Sequence, residues 1–232
     1  MCSEFFILKK YTMLLIKDLT KSFVNSQKEK SNIINIDNFE INAGQQIALN
    51  GESGSGKTTF LNLISGIINA DSGNIIIKDT DITKLSESKT DRFRAKNIGY
   101  IFQTFNLLQG YTALENVMIG MMFSGSPDKN ISIKALDTVG LSGKINNKPS
   151  ELSIGEQQRV SVARAIVNSP GLILADEPTA NLDRANSKTV INLIKDICSE
   201  KNISLLTVTH DPLILEQFES VIEFSEINSP VK

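Results

Sequence analysis

Gly51-Glu52-Ser53-Gly54-Ser55-Gly56-Lys57-Thr58 sets a glycine, four residues and then Gly-Lys-Thr, the spacing of a P-loop (Walker A) for nucleoside triphosphates. Its glycines and serines let the backbone curl around a phosphate, with successive N–H groups turned inward. Working outward, Gln46-Ile47-Ala48-Leu49 reads as a strand entering the loop, and Lys57 to Ile64 reads as a helix leaving it. A phosphate held there lies at a helix N-terminus, where unpaired N–H groups and the helix dipole both favour negative charge. In this pattern Lys57 reaches the β- and γ-phosphates and the Thr58 hydroxyl binds Mg²⁺. With Gly51, Glu52, Ser53, Gly54, Ser55, Gly56 and Thr59 they make up the expected nucleotide-binding loop.

The 232 residues can bury one large core, or one core and a smaller lobe, and 41% apolar with 22% charged residues is ordinary globular composition. A net charge of −2 gives bulk electrostatics no reason to favour nucleic acid, so no nucleic-acid partner is expected. Cys2 and Cys198 have no metal-ligand spacing and read as reduced thiols of a cytosolic protein. Phe5-Phe6-Ile7-Leu8 is too short for a signal-peptide core, and Val117 to Phe123, the most apolar run, is far too short to span a membrane. Work at a membrane would therefore go through a partner.

Leu14 to Leu19 and Ile33 to Phe39 read as strands joined by a polar loop from Asn25 to Asn32. Residues 1–12 read as an extension outside a single domain over residues 13–232. After the P-loop helix come the turn Asp71-Ser72-Gly73 and the short strand Asn74 to Ile77. Residues from about 85 to 165 read as mainly helical, an inserted lobe. Leu172 to Ala175 and Ile203 to Val208 are continuous apolar or β-branched runs, as strands of a parallel sheet buried on both faces tend to be. The helix Arg184 to Cys198 between them completes a β-α-β unit. The fold class is α/β: a mixed sheet with parallel core strands, N-terminal antiparallel strands and a helical insertion.

The strand Leu172 to Ala175 runs into Asp176 and Glu177. Asp176 falls at the carboxyl edge of the sheet, beside the P-loop, where it can hold Mg²⁺ directly or through water. Glu177, one residue on, is placed to orient or deprotonate an attacking water. Leu152-Ser153-Ile154-Gly155-Glu156-Gln157-Gln158-Arg159 opens a helix in which Ser153 and Glu156 form a capping box. Capping does not explain Gly155, which costs a first helical turn up to about 1 kcal/mol relative to alanine. A glycine fits there if a second phosphate approaches the backbone closely.

Walker A at 51–58, Leu-Ser-x-Gly-Glu-Gln-Gln at 152–158 and Leu-Ile-Leu-Ala-Asp-Glu-Pro at 172–178 together resemble the ATP-binding-cassette (ABC) ATPases, in that family's order. The resemblance implies ATP as substrate, Mg²⁺ as cofactor and ATP hydrolysis as the reaction. It implies that Gln103 is a Q-loop residue touching Mg²⁺ and the attacking water, and that Ala180 to Asp183 form a D-loop. His210, the one histidine, would bond the γ-phosphate, and Phe23 would stack on adenine through its π-face. Ser153, Gly155 and Glu156 would contact nucleotide from the signature helix; Ile154 stands where the family usually has glycine.

In that family two cassettes pack head to tail with ATP between one chain's Walker A and the other's signature, so a second copy of the chain is the first expected partner. An integral-membrane permease is the second, placing the chain in the cytoplasm at the inner face of the cell membrane. Ile98 to Leu108 and Thr112 to Val117 resemble the lipoprotein-releasing and macrolide-exporting group. Three functions stay open at this level: the ATPase subunit of a transporter, a mechanical ATPase of the cell-division type, and a non-transport ATPase, whose fused cassettes or coiled-coil insert this chain lacks. A helix capped by Thr112 and Glu115 and running to about Phe123 is apolar nearly all round and rich in methionine, which suits a surface receiving a partner helix.

Overall fold

The computed structural model describes residues 12–24 and 30–230. An antiparallel sheet is built from β1 (Thr12–Val24), β2 (Lys30–Asn42), β4 (Ser72–Ile77) and β5 (Thr80–Asp81) in the order β2-β1-β4-β5. A parallel sheet follows the order β6-β7-β8-β3-β9, from β3 (Gln46–Asn50), β6 (Ile98–Ile101), β7 (Leu172–Asp176), β8 (Ser204–Val208) and β9 (Ser220–Glu223). Helices α1 (Lys57–Ile64), α2 (Glu87–Asn97), α3 (Ala113–Ile119), α4 (Lys129–Thr138), α5 (Ile154–Ile166), α6 (Arg184–Glu200), α7 (Pro212–Leu215) and α8 (Phe224–Ile227) pack around and between them.

The central parallel strands β3, β7 and β8 are mostly apolar because each feeds two cores. Ile47, Leu49, Leu172, Leu174, Leu206 and Val208 face a core shared with the antiparallel sheet and α1. Ala48, Ile173, Ala175 and Leu205 face the other, with α3, α4, α5 and α6. Period-2 alternation thus survives in the burial partners though not in polarity.

Several local expectations need correction. The stretch read as mainly helical, from about 85 to 165, contains β6, a core strand paired with β7 from Ile98 opposite Leu172 to Ile101 opposite Ala175. A Cβ at Gly99 would lie 2.4 Å from the Ala165 carbonyl oxygen, so the glycine lets α5 cross against the strand. The loop read as Asn25 to Asn32 is shorter: β2 already pairs with β1 at Lys30, and residues 25–29 lie outside the described residues. Thr12, read as part of the extension, opens β1 opposite Asn42; residues 1–11 lie outside the described residues. The helix expected to reach Phe123 stops at Ile119, with Gly120 as its C-cap. A Cβ at that glycine would sit 2.9 Å from the Arg164 carbonyl oxygen.

Candidate functional site

β3, β7 and β8 all point their carboxyl ends at one cleft of about 410 Å³. Its lining brings together Ser53, Gly54, Gly56, Lys57, Thr58 and Thr59 from the P-loop with Asp176, the last residue of β7, and Glu177 beyond it. Gln103, His210 and Phe23 line the same cleft. Gly51, Glu52 and Ser55 of the same loop are not among the lining residues. Ser153, Gly155 and Glu156 do not line this cleft; they lie at the start of α5.

The loop's geometry is that of an anion cradle. Helices α3, α4, α5 and α6 have their first turns capped by Thr112, Asp128, Ser153 and Asp183, whereas α1 begins at Gly56 with no side-chain acceptor. Its N-terminal N–H groups are left for another partner. Gly56 sits at φ 103 and Gly54 at φ 80, conformations that need glycine. Lys57 is buried, and its Nζ donates to the carbonyl oxygens of Gly51 and Glu52, each at 2.6 Å. Among the described residues no carboxylate pairs with that ammonium. The buried Ser55 hydroxyl likewise has no partner. A buried unpaired cation, an orphaned hydroxyl and an uncapped helix end in one loop fit a polyphosphate.

The acids opposite differ in their surroundings. Asp176 is 5% exposed and accepts from Thr58 Oγ1 at 3.2 Å. Burial, and secondarily the Glu177 charge, raise its pKa, so its carboxylate lacks full compensation from the protein. A hydroxyl and a carboxylate converging beside a phosphate cradle fit Mg²⁺, which takes one or two protein oxygens and completes its shell with phosphate and water. Thr58, Asp176 and the amide of Gln103 are the residues available to hold it. No group of three or more His, Cys, Asp or Glu suited to a metal occurs among the described residues.

Glu177 occupies φ 43, in the sparsely populated left-handed region, with its N–H donating to Val208 O at 2.9 Å. That turn takes its side chain out of the sheet, where Oε1 lies 2.6 Å from His210 Nδ1. Gln103 is exposed, and the carbonyl of its backbone accepts from Asn181 Nδ2 at 2.8 Å, tying the segment after β6 to the segment after Glu177. The sequence reading passed over Asn181 as a contact residue. It passed over Arg164 as well, which donates to Phe105 O and Asn106 O at 2.7 Å each and so ties α5 to the same segment. Gln158 is fully buried and donates to Pro178 O at 2.6 Å. A polar residue on the inward face of a helix was the signal for it.

At the start of α5 the capping box is present: Glu156 N donates to Ser153 Oγ at 3.3 Å and Ser153 N to Glu156 Oε2 at 2.8 Å. Lys144 and Arg159 stand near Glu156, but its own cap hydrogen bonds from Ser153 are what chiefly lower its pKa. A Cβ at Gly155 would meet only Asn186 at 3.5 Å, an ordinary contact, so among the described residues nothing calls for glycine there. Ser153 and Ile154 are exposed beside it.

The faces expected on the Thr112 helix divide. Leu114 and Met121 are buried and Met118 packs against the same core, while Met122 is 60% and Phe123 72% exposed. Phe123 borders a groove of about 310 Å³ between α2 and the end of α3, lined also by Ile67, Ala95, Ile98 and Ile119. No helix among the described residues is long and apolar enough to cross a membrane.

A family model described as ABC transporter matches residues 34–180. A lipoprotein-releasing system ATP-binding protein LolD from Treponema denticola is 46% identical over 86% of this chain and 89% of its own length. The LolD of Bacteroides fragilis is 39% identical over 93% of the chain and 99% of its length. A macrolide export ATP-binding/permease protein MacB from Rhodopirellula baltica is 37% identical over 81% of the chain, which spans 28% of that longer protein. The dimeric, post-hydrolysis structure of the ATP-binding cassette MJ0796 with ADP and Pi superposes with a TM-score of 0.84 at 31% identity, covering 95% of this chain and 98% of that one.

Proposed function

The chain belongs to the ABC transporter family as an ATP-binding, ATP-hydrolysing cassette, and from that premise we propose that it drives the extraction or export of a lipid-linked cargo through a separate permease. One observation carries the catalytic part. Lys57, Thr58, Asp176, Glu177, Gln103 and His210 meet in one cleft, while Ser153 and Gly155 stand outside it on an exposed helix end. Half a site on each of two surfaces is what two head-to-tail copies would complete as a pair of ATP sites.

In this reading the P-loop N–H groups and Lys57 bind the phosphates, and Phe23 offers its ring to the base. Mg²⁺, held by Thr58 and Asp176, would neutralise charge developing on the phosphoryl oxygens. Glu177 accepts the proton of the attacking water; His210, 2.6 Å away, orients that carboxylate and faces the γ-phosphate position. Gln103 helps position the water. Ser153 and the backbone at Gly155 of the second copy would close over the phosphates.

The lipid-linked cargo is inferred from the relatives named for lipoprotein release. The groove beside Phe123 and Met122 is the surface we assign to the permease, which would hold the chain at the inner face of the membrane. The test is reconstitution with the membrane protein that co-purifies, in liposomes carrying a lipidated protein. ATP-dependent release of that protein supports the reading. ATPase stimulation with no cargo leaving the bilayer would move it to a mechanical role.

A further inference from the structure

The last residues of β1 have lost one of their two strand neighbours. Pairing with β4 ends at Thr20 opposite Ser72, after a register shift that begins at Lys17. The strand nevertheless continues to Val24. What stands beside it there is the side chain of Asp71, the residue before β4. Its Oδ2 accepts from the Ser22 backbone N–H at 2.8 Å, and its Oδ1 from Lys21 Nζ at 2.9 Å. Asp71 is itself fixed, because its N–H donates to Thr20 O at 2.9 Å and the hydroxyls of Thr20 and Ser72 share a hydrogen bond of 2.8 Å.

Lys21, anchored in this way, holds its ammonium 5.5 Å from the centroid of the Phe23 ring. A cation over an aromatic face is attracted by the ring quadrupole and restricts the ring's position. Phe23 lines the nucleotide cleft and Lys21 does not. Lys21 and the Ser22 N–H hold the Asp71 carboxyl below its usual range, keeping it charged at neutral pH.

We propose that Asp71, acting through Lys21 and the end of β1, positions Phe23 and so sets affinity for the base of the nucleotide rather than for its phosphates. The proposal rests on the reading of Phe23 as the surface that receives the base. Asp71 touches no substrate; it is a positioning residue.

Titration calorimetry with Mg–ATP and with Mg–tripolyphosphate, in a Glu177→Gln background, separates base from phosphate. Asp71→Asn should weaken ATP binding about three- to tenfold and leave tripolyphosphate binding within about 1.5-fold. In the hydrolysing chain KM should rise by a similar factor with kcat at saturating ATP unchanged. Phe23→Ala combined with Asp71→Asn should lose no more ATP affinity than Phe23→Ala alone, because both act through one ring. Equal weakening of ATP and tripolyphosphate by Asp71→Asn, or additive losses in the double variant, would overturn the proposal. So would an Asp71→Asn chain that binds ATP normally while Phe23→Ala does not. If Phe23→Ala itself leaves ATP affinity unchanged, the base lies elsewhere and the underlying reading falls with the proposal.

Discussion

Asp176 and Glu177 are neighbours in sequence, yet burial separates their work. Asp176 ends a fully buried strand, and its raised pKa means that the folded chain holds its proton more tightly than the unfolded chain does. The stability linked to that proton is complete below the ordinary aspartate range and is lost as pH rises through the raised value. At neutral pH, with no cation bound, the Asp176 charge therefore costs stability. Asp176→Asn should raise Tm in EDTA at pH 7 by roughly 2–4 °C, about 1 kcal/mol in a chain of this size. That gain should shrink as the pH is lowered through the raised value, and Mg²⁺-dependent turnover should be lost. An unchanged or lower Tm at pH 7 would mean that the carboxylate is compensated by the protein itself. Glu177 has a different task, set by its left-handed backbone and its contact with His210. Glu177→Gln should keep ATP binding and cut steady-state hydrolysis by roughly 10²–10⁴, the usual worth of a positioned general base. Near-normal turnover in the purified variant would remove Glu177 from that role.

At the scale of elements, what could be read in advance was whatever carries its own local signal. Ser153 with Glu156 and Thr112 with Glu115 were legible as capping boxes because the hydrogen bonds run within four residues, and both boxes are present. The strands β7 and β8 were legible as continuous runs of mostly apolar or β-branched residues. β6 was not, because Ile-Gly-Tyr-Ile is four residues with a glycine in it, and pairing with β7 is what makes it a strand. The end of α3 was also illegible: Gly120 yields to the close approach of α5, a contact forty-four residues away in the chain. Arg164 and Asn181 were missed for the same reason, since the carbonyls they grip belong to a distant loop. Beyond Gly120, Met121 turns inward and Met122 and Phe123 stay exposed. Met122→Glu should accordingly leave the basal ATPase of the free chain within about twofold, a change in barrier below roughly 0.5 kcal/mol. Co-purification with the permease should be abolished. If the variant instead loses soluble expression or thermal stability, the residue belongs to the core and the docking surface lies elsewhere.

Over the whole molecule, the two cores place two surfaces that the motifs alone left unplaced. The parallel sheet gathers its loops at one edge and makes the nucleotide cleft, whereas α5 starts outside that cleft with Ser153 and Ile154 exposed and a glycine that nothing among the described residues requires. The cleft and the exposed start of α5 lie apart on this chain, and the proposed association of two copies would bring them together. The direct measurement is the mass of the Glu177→Gln chain by size-exclusion chromatography with light scattering, with and without Mg–ATP. The chain should be a monomer alone, a dimer with Mg–ATP, and a monomer that still binds ATP when Ser153→Arg is added. A Glu177→Gln chain that stays monomeric with saturating Mg–ATP, or a dimer that survives Ser153→Arg, would contradict the proposed association.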